Sequence, residues 1–251
     1  ILTAVTLVVV IMAQPWLRKE EIRNNEGEFY MLVISTLLGM YLMMSSGHFL
    51  MFFLGLETAS VPLACMVALD KMRKDSAEAA AKFILTATFS SGVMLYGMSL
   101  LYGAVGTLYF TEFSLLLSVT PMTICGMVFF VAGLGFKISL VPFHFWTADT
   151  YQGAPAVVGG YLSVISKGAA AVALLTILTK VFGSMIDYWH PMMCIVIVLS
   201  ITVANLFAIR QKNVKRFMAF SSISQAGYIM LALLSPSDAS ATALSYYILI
   251  Y

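Results

Sequence analysis

The sequence predicts an all-α protein, a bundle of helices that crosses a membrane several times. Of its 251 residues, 61% are apolar and 10% are charged, and the mean hydropathy is +0.93. Soluble domains carry about 25% charged residues, so this composition could not cover a water-exposed surface. The apolar residues are gathered into long runs that short polar segments separate. Composition and distribution together indicate a polytopic membrane protein.

The apolar runs match the length of membrane-spanning helices. A helix needs about 20 residues to cross the hydrocarbon layer of a bilayer. Seven runs are complete by this measure, and they are Phe29–Ser45, His48–Leu69, Ala79–Tyr102, Pro121–Val141, Ala156–Phe182, Pro191–Ile209 and Val214–Leu234. Partial runs stand at the two ends, Ile1–Ala13 and Ala241–Tyr251. We therefore expect residues 1–251 to form a single transmembrane domain that is a fragment of a longer chain.

The distribution of basic residues predicts how the helices are oriented. If every run crosses the membrane once, alternate loops lie on the same side, so one side receives ten basic residues and the other receives Lys180. The ten are Arg18, Lys19, Arg23, Lys71, Arg73, Lys74, Arg210, Lys212, Lys215 and Arg216. Cytoplasmic loops carry an excess of Lys and Arg. We therefore expect the basic side to be cytoplasmic, or its equivalent in an organelle.

Apart from the basic residues already assigned to the two sides, four charged residues lie within the runs: Glu57, Lys82, Lys137 and Lys167. A charge at the centre of a spanning helix costs about 2.5–3.5 kcal/mol on insertion scales, so such residues pair with each other or line an ion path. Glu57 and Lys167 are central in their runs, and each fits either a proton carrier or a structural pair. Lys82 follows Glu78 by four residues, so its ammonium could instead reach the membrane interface.

Lys137 is the most informative of the four, because a break in its helix follows closely. The segment Lys137–Pro155 reads KISLVPFHFWTADTYQGAP, and Pro142 has no N–H for a helical hydrogen bond. Backbone groups freed at membrane depth are tolerated only against protein or a water-filled cavity. The carbonyl end of a half-helix favours an ammonium, whereas desolvation favours the neutral amine. We therefore expect Lys137 to be a switchable proton carrier.

Two further polar residues follow the break and are weaker candidates. His144 could relay protons, although a hydrogen-bonded structural histidine fits the position equally well. Asp149 fits a turn or cap residue. With Glu57 before the break and Lys167 after it, the region around Lys137 predicts an ion path through the membrane.

Several other classes of function have no support in the sequence. Cys65, Cys125 and Cys194 are isolated, without a CxxC or Cys/His cluster, so neither a zinc or iron–sulfur site nor a disulfide framework is indicated. No glycine-rich phosphate loop is present. The net charge is +2 and the basic residues sit in a few loops, so a nucleic-acid partner is not indicated. We expect no cofactor and no metal ion on this chain.

Five stretches of the chain carry motifs of a known family. They are GLETASVPLACMVAL (Gly55–Leu69), AAAKFILTATFSSGVMLYGMSLLYGAVGT (Ala79–Thr107), GFKISLVPFHFWTADTYQGAP (Gly135–Pro155), SVISKGAAAVALL (Ser163–Leu175) and NLFAIRQKNVKRFMAFSSISQAGY (Asn205–Tyr228). These stretches resemble the antiporter-like membrane subunits of respiratory complex I, over nearly the whole chain from Phe29 onward. The VPFHxWTxDxYxGAP and SSIS motifs favour the branch called subunit N, or subunit 2 in mitochondria and plastids.

The resemblance implies a fold of fourteen helices with two inverted five-helix repeats, each containing a broken helix. On that pattern, residues 29–182 form the first repeat and residues 191–251 begin the second, whose broken helix and lysine lie beyond Tyr251. The family's fifth-helix glutamate and the lysines of its sixth, broken seventh and eighth helices match Glu57, Lys82, Lys137 and Lys167. Gln225 stands where relatives often have histidine, which weakens the expectation of a titratable group there.

The resemblance also implies a function. The family moves protons through this chain of charges, driven by quinone reduction elsewhere in complex I, an NADH:quinone oxidoreductase. NADH, FMN, iron–sulfur clusters and quinone are expected on other subunits. The expected partners are the lipid bilayer and the other membrane subunits, including paralogous antiporter-like ones, in a bacterial inner membrane rather than an organellar one.

Two alternative functions stay open. One is an Mrp-type cation/proton antiporter or a hydrogenase-linked paralogue, for which transport would depend on sodium. The other is a structural membrane subunit, in which the buried charges only hold helices together. A charge-neutral replacement of Glu57 would identify the structural subunit, because in that case pumping would survive and only assembly would suffer.

Overall fold

The computed structural model describes residues 1–18, 25–235 and 238–251, and these residues are almost entirely helical. The α-helices are α1 (Leu2–Leu17), α2 (Glu26–Ser45), α3 (Phe49–Val67), α4 (Lys74–Val105), α5 (Phe110–Leu116), α6 (Pro121–Ile138), α7 (Phe145–Gly153), α8 (Ala156–Tyr161), α9 (Lys167–Lys180), α10 (Ile186–Ile209), α11 (Val214–Met230) and α12 (Asp238–Ile250). A π-helical turn, Leu162–Ser166, joins α8 to α9. Short 3₁₀ turns precede α10 and follow α11.

Seven helical segments within the described residues are long and apolar enough to cross a membrane. They correspond one to one with the seven complete apolar runs, so the predicted number of spans is confirmed. Helices α4 and α10 each begin five residues before the runs that start at Ala79 and Pro191. Asp75 in the first turn of α4 is favourable at a helix N-terminus. Gly106 ends this helix in a left-handed conformation with φ of 82°.

The loops gather at two ends of the bundle, as the alternation of spans predicts. At one end, Lys71 Nζ lies 3.4 Å from Glu28 Oε2, and Lys215 Nζ donates to Ala154 O at 2.8 Å. The first contact joins two of the loops that carry the basic residues, and the second joins a third one to the end of α7. We call this the basic end. Lys19 and Arg23 were also predicted there but lie outside the described residues. Which side of the membrane the basic end faces stays a prediction.

The opposite end is closed by backbone pairing and aromatic packing. Phe49 N donates to Leu108 O at 3.0 Å, and Phe110 N donates to Gly47 O at 2.9 Å. The Phe49 ring packs edge-on against Phe113, with the centroids 5.2 Å apart. These contacts join the loop after α2, the loop after α4 and the short helix α5 on the end away from the basic residues.

Helices α4 and α6 pack closely because small residues line their contact. A Cβ atom at Gly97 would lie 2.7 Å from Phe130 N, and one at Gly133 would lie 3.0 Å from Ser90 O. Small residues let helix backbones approach where the membrane offers no hydrophobic driving force. The close approach sets the polar side chains of α4 beside the end of α6, where Lys137 stands.

Candidate functional site

The helix that carries Lys137 ends at Ile138, four residues before Pro142, so the predicted break is confirmed. Ser139 follows in a left-handed conformation with φ of 69°. Its N–H donates to Phe136 O at 2.9 Å, and Leu140 N donates to Gly135 O at 2.9 Å. These two bonds satisfy carbonyls that the broken helix would otherwise leave unpaired. The chain then passes through a cis Val141–Pro142 peptide bond and resumes as α7.

Lys137 is buried at the end of α6 and is bonded to a hydroxyl group. Its side chain is 4% exposed, and Nζ donates to Ser60 Oγ of α3 at 2.8 Å. Glu57 lies one turn before Ser60 and accepts a hydrogen bond from Ser91 Oγ of α4. Glu57 is near enough to interact electrostatically with Lys137, although no ion pair within 4.0 Å joins them in the described part of the chain. Glu57 therefore acts on Lys137 at longer range than a direct ion pair.

A small cavity connects the groups around Lys137. It measures about 10 Å³, which is room for about one water molecule. Its polar lining comes from Ser60 of α3, Ser90 and Ser91 of α4 and Lys137 of α6. One water molecule here could bridge the ammonium and the serine that holds Glu57.

Lys167 is the second buried ammonium. Its side chain is 1% exposed, and Nζ donates to Ser222 Oγ of α11 at 2.7 Å. Nζ also lies 5.5 Å from the centroid of the Tyr151 ring, a distance at which a cation is attracted to the ring face. Within the described residues no carboxylate pairs with it. The serine belongs to the SSIS motif, so the structure gives that motif a direct role as a lysine partner.

The π-helical turn Leu162–Ser166 immediately precedes Lys167. Such turns insert one extra residue into a helix, and they occur frequently at functional sites. The rotation that the turn introduces helps to determine which face of α9 carries the lysine. Nothing in the residue pattern predicts this turn, because the segment is apolar and has normal helical spacing.

Helix α7 follows the break after Lys137 and reaches Lys167 through Tyr151. Several buried polar atoms without partners in the described part of the chain lie on α7 and on the residues just before it. Those with no hydrogen-bond partner among the described residues include Ser139 Oγ at the break and His144 Nδ1, Thr147 Oγ1 and Thr150 Oγ1 further along. Buried polar atoms are normally hydrogen-bonded, and ordered water satisfies those that protein does not. The arrangement therefore fits a file of water molecules along α7.

His144 lies within this region. It is 4% exposed, and its ring packs on Phe145 with the centroids 4.5 Å apart. Its Nδ1 has no partner among the described residues, which makes a water-mediated relay geometrically available.

Lys82 stands apart from the other three predicted residues. Its Nζ lies 2.8 Å from Glu78 Oε1 and 3.1 Å from Asp149 Oδ2, and the side chain is 47% exposed. Nine residues of α4 separate it from Ser91, which corresponds to about 13 Å along the helix axis. The structure therefore brings Glu57 and Lys137 together, links them to Lys167 through α7, and assigns Lys82 to a separate ion cluster at the basic end.

Asp149 joins this ion cluster, although the sequence suggested only a turn or cap. Its Oδ1 lies 2.8 Å from Arg216 Nη1, and its Oδ2 faces Lys82. The cluster lines a cavity of about 220 Å³ together with Asp75 and Glu78. The one available signal was an acidic residue between the break and Pro155, in a segment that also holds threonine and aromatic residues.

Comparison with known proteins assigns the chain to a family. Residues 46–251 match the family described as NADH:quinone oxidoreductase/Mrp antiporter, TM. NADH-quinone oxidoreductase subunit N of Phocaeicola vulgatus is 62% identical over 251 residues, which are 100% of this chain and 53% of that protein. The chain thus spans about half the length of the curated relatives it matches, 53% and 52% for the first two.

Solved structures agree with this assignment. A chain of respiratory complex I from Thermus thermophilus with bound aureothin has a TM-score of 0.81 at 34% identity, covering 99% of this chain and 54% of that one. A chain of the archaeal membrane-bound sulfane sulfur reductase has a TM-score of 0.84 at 28% identity, with coverage of 99% and 52%. Sequence match and fold therefore agree that the chain belongs to the NADH:quinone oxidoreductase/Mrp antiporter family of membrane proteins.

Proposed function

We propose that this chain is part of subunit N of an NADH:quinone oxidoreductase and carries protons across a bacterial inner membrane. The observation that supports this most strongly is the pair of buried lysines, Lys137 and Lys167, each bonded to a serine hydroxyl. An ammonium without a carboxylate partner can release its proton without breaking an ion pair. Two such groups at the ends of one short polar helix make a suitable donor and acceptor.

The proposed path runs from Glu57 through Lys137 and along α7 to Lys167. An ionised Glu57 would favour the ammonium form of Lys137 by Coulomb attraction, and its neutralisation would favour release. Water along α7, with His144 as an additional relay, would carry the proton towards Lys167. Lys82 would serve the basic end of this path, where the open cavity gives water access.

The energy for transport would come from other subunits. In this proposal NADH, FMN, iron–sulfur clusters and quinone all bind elsewhere in the complex, and this chain carries none of them. The partners are the other membrane subunits, including paralogous antiporter-like ones. Residues 29–182 would form the first five-helix repeat and residues 191–251 the start of the second.

The test compares two lysines of helix α9 in the complete complex. Lys167→Met removes the buried ammonium, and Lys180→Met removes an exposed one thirteen residues later. In sealed vesicles that contain the assembled complex, we expect fewer protons moved per NADH oxidised with Lys167→Met and no change with Lys180→Met. Normal pumping by Lys167→Met would refute the path.

The same vesicles separate the two alternative functions. Transport that requires sodium would identify a cation/proton antiporter instead. If Lys167→Met impairs only assembly and the assembled fraction pumps normally, a structural role would be correct.

A further inference from the structure

Helix α7 contacts Lys167 and the residue before Lys137, although it has only nine residues. At its start, Trp146 Nε1 donates to Phe136 O at 3.0 Å, directly before Lys137 in the chain. Near its end, the Tyr151 ring lies against the Lys167 ammonium at 5.5 Å. A displacement of α7 would therefore change the surroundings of both lysines.

A single carboxylate ties α7 to two other helices. Asp149 Oδ1 lies 2.8 Å from Arg216 Nη1 of α11, and Asp149 Oδ2 lies 3.1 Å from Lys82 Nζ of α4. Arg216 Nη1 also donates to Gln152 Oε1 of α7 at 2.8 Å. Asp149 is the one charged residue of α7, so the ion pairs that tie α7 to α4 and to α11 both depend on it.

We propose that Asp149 is a positioning residue for proton transfer, because its pairs with Lys82 and Arg216 fix α7 where Tyr151 lies against Lys167. This inference rests on the proposed function, since it assigns Asp149 an effect on a lysine that carries protons. Asp149 itself does not exchange protons with either buried lysine. It acts through the position of Tyr151, two residues later on the same helix.

The exposure of the ion cluster favours positioning over global stabilisation. The side chains of Asp149 and Arg216 are 35% and 34% exposed. Ion pairs at such exposure contribute little to overall stability. Loss of Asp149 should therefore let α7 shift while the spanning helices, which are held by apolar packing, keep their fold.

The first experiment measures protons moved per NADH oxidised by the complete complex in sealed vesicles. Asp149→Asn removes the charge through which α7 pairs with Lys82 and Arg216, and we expect this ratio to fall in a normally assembled complex. Glu28→Gln is the matched control, because Glu28 also pairs with a lysine at the basic end but belongs neither to α7 nor to the ion cluster around Lys82. We expect Glu28→Gln to pump normally.

Rescue and coupling separate positioning from a general structural role. Asp149→Glu restores the carboxylate, so pumping should recover. Tyr151→Leu removes the ring that Asp149 is proposed to hold, and Asp149→Asn should add no further loss in that background. Additive losses, or Asp149→Glu behaving like Asp149→Asn, would overturn the proposal.

Lys167→Met, measured in parallel, distinguishes this inference from the proposed function. If Lys167→Met loses pumping and Asp149→Asn does not, the positioning role is wrong and the path stands. If Lys167→Met pumps normally, the path itself is wrong. Should Asp149→Asn fail to assemble, Arg216→Gln takes its place, because it leaves Asp149 charged and paired with Lys82. Failure of that variant to assemble as well would also overturn the proposal, since the cluster would then be needed for folding.

Discussion

Replacing Lys137 by Met should stop proton pumping without destabilising the complex. The wild-type ammonium is 4% exposed and donates a hydrogen bond to Ser60 Oγ at 2.8 Å. A hydrogen bond to a charged group contributes about 1.5–3 kcal/mol, whereas burying an ammonium costs on the order of several kcal/mol. Ser60 Oγ keeps its own bond to Leu56 O at 2.7 Å, so no new buried donor is left unpaired. The hydrogen bond that Lys137→Met loses and the burial cost that it removes therefore nearly cancel, or their sum stabilises the variant.

The assay combines thermal stability of the assembled complex with proton pumping in vesicles. Lys137→Met should retain or raise the midpoint of thermal disassembly and should pump fewer protons per NADH oxidised. Lys137→Arg should also lose pumping, because a guanidinium stays protonated and cannot release its proton. A large fall in the midpoint for Lys137→Met would show that the ammonium holds helices together. Full pumping by Lys137→Arg would show that only a fixed positive charge is needed.

Three further predictions concern topology, charge and packing. In Arg73→Cys, the new thiol should resist labelling from outside intact cells. Strong labelling would show that the basic end faces outward, opposite to the proposed orientation. Glu57→Gln should lower proton pumping in an assembled complex, because the carboxylate no longer favours the ammonium of Lys137; unchanged pumping with poor assembly would support the structural alternative. Gly133→Val should lower the midpoint of thermal disassembly, because a Cβ at this position would lie 3.0 Å from Ser90 O and overpacking costs about 1–3 kcal/mol. An unchanged midpoint would contradict the close α4–α6 contact.

The spanning helices and the break could be predicted from the sequence because their causes are local. Long apolar runs are required by the bilayer, and the proline at position 142 ends the helix of Lys137 through its missing N–H. The charges Glu57, Lys137 and Lys167 could be identified as well, because each is costly at membrane depth unless it serves a purpose. These features need no knowledge of which helices are neighbours.

The partners of these charges could not be predicted, because they come from residues far apart in the chain. Ser60 and Lys137 are separated by 77 residues, and Lys167 and Ser222 by 55 residues. Serine is common in these helices, so its presence alone gives no signal. Asp149 was missed for the same reason, since only the packing of α7 against α4 and α11 brings two cations to it.

The central claim is that a hydrated polar path along α7 connects Lys137 to Lys167. An experimental structure of the complete complex in lipid, at a resolution where ordered water is visible, tests this claim most directly. The account predicts water molecules within hydrogen-bonding distance of Ser139 Oγ, Thr147 Oγ1 and Thr150 Oγ1, which have no partner in the described part of the chain. A dry region in which apolar side chains enclose these three atoms would contradict it.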